Sequence, residues 1–199
     1  ANDDQASLEW FRRAAERGHL DALMAVGNAY ANVWGVGKSL DDLELKARAM
    51  QIADALEATL PPDFDHACTA IERALAPPIA VIGEAAEARD AADGLAGWIV
   101  WPLGEFVARR GIAQPERALR ALHALTQRFT AEWAIRPFIE QHPQLTLATL
   151  DRWTKDPSPH VRRLVSEGSR PRLPWGVQLK GLIADPSPTL PLLEALQDD

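Results

Sequence analysis

Hydrophobic positions recur at three- and four-residue spacing through most of the chain, the period of a helix that buries one face. LELKARAMQIADALEATL (43–60) is the first long amphipathic run, and Pro61-Pro62 stops it. Asp63 can cap a second helix over FDHACTAIERALA, and residues 77–95 mix Pro, Gly, Ala and acids in the manner of a loop around a short helix. GWIVWPLGEFVARRG (97–111) resumes helix after Pro102, led in by Trp98 and Trp101. PERALRALHALTQRFT (115–130) starts on a proline suited to a first helical turn and lines up Leu119, Leu122, Leu125 and Phe129. Shorter helices are expected at 131–141, 145–155, 159–168, 175–184 and 189–197. Alternating β-branched patterns never run past a few residues, so strands are not expected.

Two features organise these helices. DPSPHVRRL (156–164) returns as DPSPTLPLL (185–193), with Asp-Pro closing one helix pair and Ser-Pro opening the next. Short paired helices with this punctuation predict an all-α fold, a right-handed α-solenoid of HEAT-like repeats whose concave side forms a basic groove. Upstream, WFRRAAERG and NAYANVWGVG make residues 1–41 a helical hairpin that resembles one Sel-type, tetratricopeptide-like repeat, with Trp34 where that pattern has glycine. One repeat cannot bury its own face, so 1–41 reads as a fusion or fragment junction. Residues 42–199 read as the HEAT-like domain, truncated at its C-terminal end.

Composition narrows the class. A hydrophobic share of 47% and a charged share of 25% are those of a globular protein, and no apolar run reaches the roughly 18–20 residues that span a bilayer. The lone Cys68 excludes an internal disulfide and points to a reducing, cytoplasmic compartment. It falls on the apolar side of its helix, as a small buried hydrophobe would. Net charge is −7, yet the first hundred residues hold 8 Lys and Arg against 17 Asp and Glu, the remainder 13 against 11. Between Asp151 and Lys180 there are seven basic residues and three acids. Local charge decides whether a phosphate backbone can dock.

The stretch from Thr130 to Trp175 carries the candidate chemistry. TAEWAIRPFIEQHP and SEGSRPRLPW each set a carboxylate beside Arg, Pro and Trp at turn-forming positions, which packing alone would not select. On the residues alone Glu132 can equally complement a helix dipole, and Glu167 can sit at an exposed helix end. Arg170 can pair with Glu167, hold a carboxylate in place or fork onto a phosphate. Trp175 can be core or an exposed stacking surface; Trp10, Trp98 and Trp153 read as core, with Trp133 open. There is no Gly-rich phosphate loop or nucleophile elbow, and the five histidines lack ligand spacing. No cofactor and no metal are expected.

GWIVWPLGEFV, LHALTQRFTAEWAIRPFIE, SEGSRPRLPW and DPSPTLPLLEALQDD together resemble the AlkC branch of the bacterial HEAT-like DNA alkylation repair glycosylases, over about 42–199. The resemblance implies a DNA glycosylase that excises cationic N-alkylated purines such as 3-methyladenine from duplex DNA without flipping them. It implies Glu132 and Glu167 as the catalytic carboxylates, and Trp175, Arg170 and Trp133 against the substrate. Arg136, Arg162, Arg163, Arg172 and Lys180 are then expected on the DNA phosphates. The partner expected from this resemblance is alkylated double-stranded DNA, and the enzyme is expected as a monomer in the bacterial cytoplasm, associated with the nucleoid when bound to DNA. The other reading is a HEAT-type nucleic-acid or protein-binding scaffold without chemistry.

Overall fold

The computed structural model describes residues 43–79 and 94–199. The hairpin expected over 1–41 lies outside them, as do residues 80–93 of the expected loop.

Nine α-helices follow one another in the described residues: α1 (Leu45–Thr59), α2 (Phe64–Ala74), α3 (Val100–Arg110), α4 (Pro115–Thr126), α5 (Arg136–Gln141), α6 (Pro143–Trp153), α7 (Pro159–Gly168), α8 (Lys180–Ala184) and α9 (Leu190–Ala195). Short 3-10 turns at Gly97–Ile99 and Ser187–Thr189 precede α3 and α9. The described residues form no strand, and a β-bridge between Leu75 and Leu95 closes the flanks of the 77–95 connection.

Local chemistry explains where these helices begin. Asp63 caps α2 by accepting from the His66 backbone N–H at 2.8 Å. Proline occupies the first or second position of α4, α5, α6, α7 and α9, where the missing N–H costs nothing and the fixed φ favours helix. The echoed Asp-Pro-Ser-Pro segments fold alike: Asp156 accepts from the Ser158 N–H at 2.8 Å, and Asp185 from the Ser187 N–H at 3.0 Å.

Packing follows the apolar stripes. α1 lies on α3, α2 and α3 on α4, α4 on α7, and α6 contacts α5, α7 and α9. Between them Ile71, Leu103, Phe106, Leu122, Leu125, Phe138, Leu150 and Leu164 are fully buried. Each such side chain contributes roughly 1.5–3 kcal/mol on leaving water. Arg117 clamps α4 to α2 through Asp65 and, at 2.6 Å, Glu72. Cys68 is 0% exposed, and burial pushes its thiol up to about 12, so it is a core residue as its position on the helix implied.

Three expected boundaries move. The helix expected after Pro102 starts at Val100, because a proline in the first turn needs no donor. The helix expected over 131–141 starts at Arg136: residues 132–135 form a turn, closed by the Ile135 N–H on the Ala131 carbonyl at 3.1 Å. Of 175–184 only Lys180–Ala184 is helical, since Pro171, Pro174 and a left-handed Trp175 (φ 62°) keep 170–179 irregular. The last two departures fall in or next to the stretch that carries the candidate chemistry.

Candidate functional site

Ala131, Ala134 and Ile135 are buried and anchor the turn that precedes α5, which fixes where Glu132 stands. The Thr130 hydroxyl donates to Glu132 Oε2 at 3.1 Å, and its oxygen lies 3.3 Å from the Glu132 backbone N–H. This local ring holds the carboxylate in one orientation. Arg163 Nη2, reaching from α7, lies 3.6 Å from the same oxygen. Glu132 is only 9% exposed, a carboxylate set into the surface rather than waving above it.

Glu167 is the penultimate residue of α7 and pairs with Arg170 at 2.9 Å. Gly168 follows it at a point of close approach: a Cβ there would lie 2.6 Å from Ile135 Cγ2. The end of α7 therefore rests directly on the Glu132 turn. The structure thus gives each predicted carboxylate its own arginine at the junction of these two elements.

Arg136 corrects the sequence reading. Expected on a phosphate, it is 0% exposed, and its guanidinium donates to the backbone carbonyls of Gly168 (3.0 Å), Arg170 (2.7 Å), Pro171 (3.1 Å) and Val177 (2.5 Å). Burial holds its pKa below the usual guanidinium range, opposed by the charges of Glu140 and Glu132. A side chain enclosed this way does not meet DNA.

The loop that Arg136 grips presents Trp175. Its φ of 62° is unusual for a bulky residue and costs on the order of 1–3 kcal/mol, so neighbouring contacts must hold it. They do so from three sides. Lys46 Nζ of α1 donates to the Trp175 carbonyl at 2.8 Å, Trp133 Nε1 donates to the Pro174 carbonyl at 3.0 Å, and the Gly176 N–H reaches the Leu173 carbonyl at 3.1 Å. Trp175 is 58% exposed.

Beneath it lies an indole stack. Trp101 stacks on Trp133 at 4.3 Å and on Trp175 at 5.7 Å, with interplanar angles of 23° and 13°. Trp98, itself half out in solvent, joins Trp101 at 6.2 Å and Phe129 at 4.9 Å. These separations are those of favourable aromatic pairs. A cleft of about 540 Å³ opens along the stack, walled by Trp101, Trp133 and Trp175 and rimmed by Lys46, Glu105 and Arg109. Trp133 therefore lies in one stack with Trp175. Trp101, only 4% exposed, is the platform the sequence reading missed. The one available signal was its three-residue offset from Trp98.

The remaining predicted cations divide. Arg172 and Lys180 are exposed and engage no acid or carbonyl among the described residues. Arg163 is partly exposed beside Glu132, and Arg170 beside Glu167. Arg162 is occupied: its Nε faces both Asp199 oxygens at 2.8 and 2.7 Å, and its Nη1 donates to the Asp156 and Pro157 carbonyls. Among the described residues no group of three His, Cys, Asp or Glu is placed to share a metal ion. No helix among them is long and apolar enough to cross a membrane.

Against known proteins, no family model matches the chain. It is 40% identical over 158 residues to the uncharacterized protein YhaZ of Bacillus subtilis (strain 168), covering 79% of this chain and 40% of that protein. Its fold is similar to that of Pseudomonas fluorescens alkylpurine DNA glycosylase AlkC bound to DNA containing an abasic site analog. The TM-score is 0.72 at 29% identity, across 98% of this chain and 48% of that one. The AlkC resemblance and the all-α repeat fold read from the sequence are thereby borne out. The chain spans about half the length of the solved relative and less of the curated one.

Proposed function

We propose that this chain, similar to the AlkC glycosylase, forms the HEAT-like part of a DNA repair glycosylase that excises cationic N-alkylated purines such as 3-methyladenine from duplex DNA. The observation that carries this reading is the pair of arginine-paired carboxylates, Glu132 and Glu167, where the end of α7 meets the Glu132 turn, on a chain that also exposes the Trp175 indole.

An alkylated ring nitrogen leaves the base positively charged, so the bond from N9 or its equivalent to C1′ breaks with both electrons going to the base. The base departs neutral and the sugar is left as an oxocarbenium ion. A base that already carries the charge needs no protonation. The protein must instead place negative charge near C1′ and direct a water. Glu132 and Glu167 supply that charge, and the attacking water forms the new C1′–O bond while its proton passes to a carboxylate or to solvent. Paired acids act by the same electrostatic logic around ordinary glycosidic bonds. Trp175 and Trp133 offer an indole face to the deoxyribose or to the cationic base, an attraction of about 0.5–2 kcal/mol. An exposed ring beside an open cleft suits a lesion left in the stack. In a right-handed solenoid, the basic rim of Arg163, Arg170, Arg172 and Lys180 would track the phosphates.

The test is single-turnover release of 3-methyladenine from methylated duplex DNA. Glu132→Gln and Glu167→Gln should each slow release by roughly 10²–10³-fold, the usual loss for one transition-state charge contact. Duplex affinity should hold or tighten, because a negative charge leaves the DNA face. Unchanged rates in both variants would remove the carboxylates from the chemistry. Salt-sensitive binding by the unsubstituted chain with no excision would favour the scaffold reading.

A further inference from the structure

We propose that Arg136 is the positioning residue of this site, setting the Trp175 indole and the Glu167 helix end against the Glu132 turn; the inference rests on the glycosylase reading above. A buried guanidinium is expensive to keep, and one retained for charge pairing would face a carboxylate. Arg136 faces none within salt-bridge distance among the described residues; the acceptors of its bonds are four neutral carbonyls. What such a site selects is the rigid fork of donors, which a single ammonium cannot reproduce.

The four carbonyls bracket the site. Gly168 follows Glu167 directly, Arg170 is the residue paired with Glu167, Pro171 begins the rigid turn, and Val177 lies two residues beyond Trp175. At the other end, Arg136 stands four residues after Glu132. The turn and first residues of α5 join them through the Ile135–Ala131 and Phe138–Ile135 backbone bonds. One side chain therefore couples the element holding the first carboxylate to the end of the helix holding the second and to the loop holding the indole. Gly176 shows how closely the loop is fitted to it: a Cβ there would lie 3.1 Å from Arg136 Cδ and 3.2 Å from Nε.

The experiment compares the full chain with Arg136→Lys and Gly176→Ala. Three quantities are read: single-turnover excision, the near-ultraviolet circular dichroism of the stacked indoles, and the salt dependence of duplex binding. Arg136→Lys should lower excision by roughly 10²-fold, the scale of an ångström-sized misplacement of reacting groups. It should also collapse the indole signal. The salt slope should not change, whereas loss of a phosphate contact would reduce it by about one. Gly176→Ala presses on the fork from the opposite side without removing its charge, and should shift excision and the indole signal in the same direction. It decides the matter if Arg136→Lys fails to fold.

Retained excision, or lost excision with an intact indole signal, overturns the proposal, as does a reduced salt slope. Should the unsubstituted chain excise nothing, the glycosylase reading fails separately. The indole signal then still reports whether Arg136 holds the loop.

Discussion

Gly168→Ala is the smallest change that should separate the two carboxylates. The added Cβ would sit 2.6 Å from Ile135 Cγ2, with Leu164 Cδ1 at 3.5 Å and the Glu132 carbonyl at 3.8 Å. Carbon pairs rest at about 3.5–4.0 Å, so roughly 1 Å of separation must be found. Ile135 is fully buried and cannot swing away, hence the end of α7 and the Glu132 turn must part. Overpacking of this kind costs about 1–3 kcal/mol. Alanine recovers up to about 1 kcal/mol of that through helix propensity, leaving a net loss near 0–2 kcal/mol. Excision should suffer far more than stability, by as much as roughly 10²-fold, because the displacement lies directly between Glu132 and Glu167. Urea unfolding and single-turnover release measure the two effects. A double-mutant cycle with Ile135→Ala should show favourable coupling, since the added methyl then fills space the isoleucine vacates. Wild-type stability and rate in Gly168→Ala would refute the argument that this contact sets the carboxylate spacing.

Two further outcomes follow from the exposed cations and from the core. Arg172→Ala and Lys180→Ala should each weaken duplex binding without sequence preference and lower the slope of log affinity against log salt by about one, as measured by fluorescence anisotropy. Cys68 is held protonated in the folded chain up to about 12, from an ordinary value of 9.0, by burial. The unfolded thiol ionises first, so its contribution to stability is complete below pH 9 and is lost as pH rises through 9 toward 12. Cys68→Ala should flatten that alkaline decline in denaturant titrations.

The parts of this architecture legible in the sequence are those governed by local rules. α2, α4 and α7 begin where a capping acid or an early proline said they would, because both signals act within one turn of chain. The turn at 132–135 and residues 175–179 were read as helix, because their shape is set at long range. It depends on a guanidinium at Arg136 that meets carbonyls 32 to 41 residues downstream. Arginine looks the same in sequence whether it faces solvent or is enclosed. That is why Arg136 and Arg172 received one role and occupy two. Trp101 was overlooked for the converse reason: a tryptophan in an apolar helix is ordinary, and only the arrival of Trp133 and Trp175 on its faces makes it a platform.

Charge placement resolves a conflict built into the proposed reaction. A polyanion must dock on a face that also keeps two carboxylates near its sugar. At distances beyond the screening length of about 8–10 Å, Glu132 with Arg163 and Glu167 with Arg170 act as near-neutral pairs. On the proposed reading, an approaching duplex would then respond mainly to exposed cations such as Arg172 and Lys180. At contact the pairs no longer cancel: a sugar a few ångströms from a carboxylate oxygen meets that oxygen's charge in a poorly screened setting, with the arginine behind it. On the proposed reading, pairing at the margin, rather than deleting acid or adding base, would let the protein attract phosphates from afar and stabilise a cation at close range. Glu132 is the fixed side of its pair, held by Thr130 as well as Arg163, whereas Glu167 at the end of α7 is held through Arg170.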